Sequence, residues 1–100
     1  MEFILEKPRE NIASLARIIG YRSLNTIPDG EFNLVRSLGR NYPRFHLYLK
    51  KDARDKILHF SLHLDQKKPS YRGQVAHSGE YEGELVEAER ARIEKILQGI

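Results

Sequence analysis

Two stretches of this chain alternate so regularly that they dictate most of what it can fold into. "RFHLYLKK" (44–51) puts Phe45, Leu47 and Leu49 on one side and His46, Tyr48 and Lys50 on the other. "ILHFSLHLDQ" (57–66) sets Leu58, Phe60, Leu62 and Leu64 against His59, Ser61, His63 and Asp65. A period of two is the strand period, so each stretch has one face to bury and one that tolerates polar groups. That pattern belongs to an antiparallel sheet covered on one side. Only the charged connection "KDARDK" separates the two stretches. Paired as neighbours, they gather His46, Tyr48, His59, Ser61 and His63 on the uncovered face.

The cover comes from two helices. In "KPRENIASLARIIGYRSL", Ile12, Leu15, Ile18 and Ile19 recur at helical spacing, which predicts a helix over Arg9–Ile19. Pro8 suits its first turn and Gly20 its end. In "ELVEAERARIEKILQGI", Val86, Ile93, Ile96, Leu97 and Ile100 form a second stripe, filled in by Leu85 and Ala88 or Glu89. Its acidic residues come early and its basic residues late, the order that the helix dipole favours. "EFNLVRSL", after the Pro28-Asp29-Gly30 turn, adds a third strand, with Phe32, Leu34, Arg36 and Leu38 on one side. "MEFIL" supplies a short edge strand. Residues 66–83 are long for a connection and predict a working loop, with a short strand around 74–76. The expected fold is α+β: one domain over 1–100, a two-layer α-β-β-β-α sandwich with an antiparallel sheet and both helices on one face.

Composition narrows the function classes. The 100 residues contain no cysteine, which excludes disulfides and thiolate metal sites. No apolar run approaches a membrane span and the start does not resemble a secretory signal, so a cytoplasmic location without a membrane partner is expected. The chain is basic, with net charge +3, and the charge is divided. Residues 1–76 hold 14 Lys/Arg against 8 Asp/Glu, whereas residues 77–100 hold 3 against 6. A basic body of this kind suits a polyanion such as RNA. The "EFNLVRSL" strand, "EFIL" and Ile100 offer apolar edges for a homo-oligomer, and a small domain gains stability by pairing.

Three constellations carry chemistry. His59 and His63 are four apart on one strand, ~13 Å, too far to share an ion; His63 and Asp65 are ~6.6 Å apart along it. With His77 returning from the long loop, His63, Asp65 and His77 make a nitrogen and oxygen set that suits a divalent metal. No other cofactor is expected. His46 and His63 are the candidates for acid–base catalysis. Arg40, Arg44, Tyr48, Lys67, Lys68 and Arg72 are the candidates for nucleic-acid binding, since arginine forks phosphate and tyrosine stacks on bases. The acidic "HSGEYEGE" suits a cation, a basic partner or the cap of its own helix.

The element order carried by "ENIASLARIIGY", "EFNLVRSLGR", "RFHLYL" and "AHSGEYEGELVEAERARIEKIL" resembles that of double-stranded-RNA-binding domains. It also resembles the HicA-like toxins, which share that fold and cut messenger RNA with one strand histidine. That resemblance implies RNA contact and a role for His46, although Arg44-Phe45 stand where the toxins carry Gly-Ser. The expected function is a small self-associating interaction or structural domain. The alternatives are an RNA binder or ribonuclease using a strand histidine, and a metal-binding protein.

Overall fold

The computed structural model describes residues 1–6, 8–27, 31–52, 54, 56–66, 79–80 and 83–100, the side chains of 25–27 and 79–80 excepted. The elements are β1 (Glu2–Glu6), α1 (Ile12–Ile18), β2 (Arg22–Ile27), β3 (Glu31–Ser37), β4 (Arg44–Lys51), β5 (Ile57–Asp65), β6 (Gly79–Glu80) and α2 (Glu84–Gln98). The sheet runs β1-β5-β4-β3-β2, antiparallel throughout, and β6 adds two residues to β5 beyond the end of β1. Both helices pack on one face, so the α+β two-layer class holds.

The sheet is larger than the three strands that alternation picks out. β1 is the edge strand expected of "MEFIL" and pairs with β5. β2 was hidden because its pairing with β3 shifts register between Ser23 and Asn25, so Leu24 breaks the alternation and stays exposed. One consequence corrects the edge assignment: β3 is an interior strand, hydrogen-bonded on both sides, and cannot offer itself to a second copy. α1 also starts three residues late. The Asn11 side chain accepts from Ser14 N at 2.8 Å, and this cap, rather than Pro8, sets the first turn. At its other end Gly20, with φ +85°, lets Tyr21 N reach Ala16 O at 2.8 Å.

The core lies between sheet and helices. Phe45, Leu47 and Leu49 of β4 and Leu58, Phe60, Leu62 and Leu64 of β5 meet Leu15 and Ile19 from the first helix and Val86, Ile93 and Leu97 of α2. Each such side chain contributes roughly 1.5–3 kcal/mol of burial. Glu89 occupies the same stripe of α2 and is 3% exposed. Tyr21 Oη donates to it at 2.6 Å, Arg36 Nη1 at 3.3 Å and Arg92 through Nε and Nη2 at 2.7 and 2.9 Å. Arg92 Nη2 also donates to Ile19 O at 2.5 Å, tying α2 to the end of α1. Arg36 therefore does face the helices, as a partner of Glu89 rather than as core.

Candidate metal centre

Pairing of β4 with β5 builds the site. Asp52, between the two strands, accepts from Lys56 N at 2.8 Å and Ile57 N at 3.2 Å, and its own amide donates to Ile57 O at 3.0 Å. These amides hold its carboxyl below the usual carboxylate range. The closed turn fixes a register in which Arg44 faces Asp65, His46 faces His63 and Tyr48 faces Ser61. On the other side of β4, Val35 faces His46 and Asn33 faces Tyr48. All of these lie on the face away from the helices.

That face is far from wet at its centre. Val35 is fully buried there, and the side chains of His46 and His63 are each only 12% exposed. His63 Nε2 lies 2.9 Å from Asp65 Oδ1 and His46 Nδ1 lies 3.3 Å from Asp65 Oδ2. One ligand atom from each residue falls within 4.8 Å of the other two. Ligands about 2.0–2.2 Å from a tetrahedral ion stand about 3.4 Å apart, so the His63–Asp65 and His46–Asp65 pairs are spaced much as such ligands are, and the set could close on an ion with a small shift of the side chains. Tyr48 walls it, with its ring centroid 4.6 Å from that of His46 and 6.3 Å from that of His63.

The protonation states sharpen the case. Burial, and next the charge of neighbouring His63, lower the His46 pKa below its ordinary value, against the pull of Asp65. Burial likewise lowers His63, again opposed by Asp65. Both rings are thus driven towards the neutral form that metals bind. With the Asn33 amide oriented so that Oδ1 faces His46 Nε2, that nitrogen carries the proton and donates to Asn33. A neutral ring in this tautomer turns the lone pair of Nδ1 towards a carboxylate oxygen. In that tautomer a cation placed between Nδ1 and Asp65 would be bound by both.

The residues singled out from sequence fare differently. His46, His63 and Asp65 come together. His77 lies outside the described residues, as do Lys67, Lys68, Arg72 and the strand expected around 74–76. Arg44 and Tyr48 border the cluster, while Arg40 is exposed between β3 and β4. His59 points to the same face but pairs with Lys50 and Ile4. It lines a pocket of about 160 Å³ on the other side of Tyr48, with Glu2, Glu31, Lys50, Phe60 and Ser61. Sequence reasoning missed Asn33 altogether, and it offered His46 for catalysis without its partner Asp65. No family model, curated protein or solved structure matches the chain.

Proposed function

We propose that this chain is a metal-binding protein whose ligands are His46, His63 and Asp65. The observation that carries this reading is the convergence of the three ligand atoms within 4.8 Å, on two adjacent strands and at low exposure. Two imidazoles and one carboxylate suit zinc and other first-row divalent ions. Asn33 acts behind His46, fixing which nitrogen is available, as metal-bound histidines commonly require. Three protein ligands leave at least one position on the ion for water or another small ligand.

Calorimetric titration of zinc, followed by thermal melts with and without the ion, tests the reading. One ion should bind per chain, and saturation at a hundredfold over Kd should stabilise by about 2.7 kcal/mol. His46→Ala, His63→Ala and Asp65→Ala should each weaken binding by at least about tenfold, and His59→Ala should leave it unchanged. His77→Ala reports whether the ligand named from sequence also takes part. Wild-type affinity in all three cluster variants would overturn the assignment.

A further inference from the structure

Arg44 is the residue that a metal site alone leaves unexplained. Its guanidinium lies over the Tyr42 ring, 4.6 Å from the centroid. Its Nε is buried without a hydrogen-bond partner among the described residues and stands 3.7 Å from Asp65 Oδ2, beyond hydrogen-bond reach. A fixed positive charge here opposes a metal cation, and an unmatched buried N–H is costly in itself. Both penalties are relieved by an anion. A divalent ion, the Asp65 carboxylate and the Arg44 guanidinium leave two positive charges at the site, which a dianion neutralises and a monoanionic carboxylate does not. A cation held on Asp65 Oδ2 stands no more than about 6 Å from Arg44 Nε. One oxyanion spans that gap with one oxygen on the ion and another on the guanidinium, the geometry arginine favours.

Resting on the metal reading above, we propose that the site binds a phosphate-class dianion, shared between the open position of the ion and Arg44. Cobalt(II) serves as the probe, because its visible bands report a change of ligand. Inorganic phosphate should shift the bands of the cobalt-loaded protein saturably, and acetate should need at least about tenfold more. Arg44→Gln should raise the phosphate half-saturation at least about tenfold while cobalt binds as well as before or better, with Arg44→Lys between the two. Phenyl phosphate separates the sources: tighter binding than inorganic phosphate assigns an ester, weaker binding the free anion. An Arg44→Gln protein that binds phosphate like wild type overturns the proposal, as does a cobalt spectrum that phosphate leaves unchanged. A wild-type protein that forms no cobalt complex overturns the metal site itself, and the anion with it.

Discussion

Among the described residues, a carboxylate stands at the centre of a polar cluster on each side of the sheet, Glu89 buried and Asp65 one-fifth exposed, and the two are equipped very differently. Glu89, on the helix side, receives hydrogen bonds from Tyr21, Arg36 and Arg92, all within 3.3 Å. Its neighbours are donors whose charge or proton is fixed at neutral pH, so the cluster is complete as it stands. Asp65, on the other side, meets two imidazoles that burial holds towards the neutral form and one arginine kept at 3.7 Å. One carboxylate is saturated by fixed donors, and the other faces two imidazoles that could share a cation with it. Burial of an acid therefore says little about its purpose until the donors around it are counted.

The contrast is open to direct attack. The largest effect should come from Glu89→Ala, which strands Arg36, Arg92 and Tyr21 without their common acceptor. Denaturant unfolding should show a loss of about 3–5 kcal/mol, with zinc affinity of the folded fraction unchanged. Asn33→Ala should do the reverse. It should cost about 10–100-fold in zinc affinity by titration. Because Asn33 is only partly buried, stability without metal should fall by no more than about 1 kcal/mol.

Acidity should separate the two sides next. The folded-state values of His46 and His63 lie below their ordinary 6.5, so the unfolded chain takes up protons first as pH falls. Their contribution is intact above about pH 6.5 and is lost as pH drops from there through the folded values. Saturating zinc should move this loss to lower pH. Tyr21 runs the other way: burial, then the charge of Glu89, raise it above its ordinary 10, so its contribution holds below about pH 10 and is lost above. Melts across pH should show His63→Ala flattening the acid limb and Tyr21→Phe flattening the alkaline one. The smallest effect should be that of Asp65→Asn without metal, about 1 kcal/mol, since asparagine keeps the shape of the side chain and an oxygen that still accepts from an imidazole.

Much of the fold was legible because alternation and helical spacing are statements about faces. Leu58, Phe60, Leu62 and Leu64 could point only inwards, and Val86, Ile93 and Leu97 marked the buried stripe of α2. Face is not register, however. Sliding β5 by two residues past β4 keeps every leucine inside, yet sets His46 opposite Ser61 or Asp65 instead of His63. Two members of the proposed metal set were therefore visible, His63 and Asp65 on one strand, and the third came from a pairing that hydropathy does not encode. Glu89 was obscured for a different reason: a glutamate at an apolar position makes sense only once Tyr21 and Arg36, far away in sequence, are seen beside it.

The turn closed by Asp52 has a further consequence. All three proposed ligands and Arg44 lie between residues 44 and 65, on a single hairpin whose register that turn holds. The Tyr21–Glu89 bond, by contrast, joins groups 68 residues apart and exists only when the whole domain is assembled. A site contained in one hairpin is portable. Moved into another antiparallel sheet with its turn intact, the segment would bring the three proposed ligands and Arg44, and leave behind Asn33 and Tyr42.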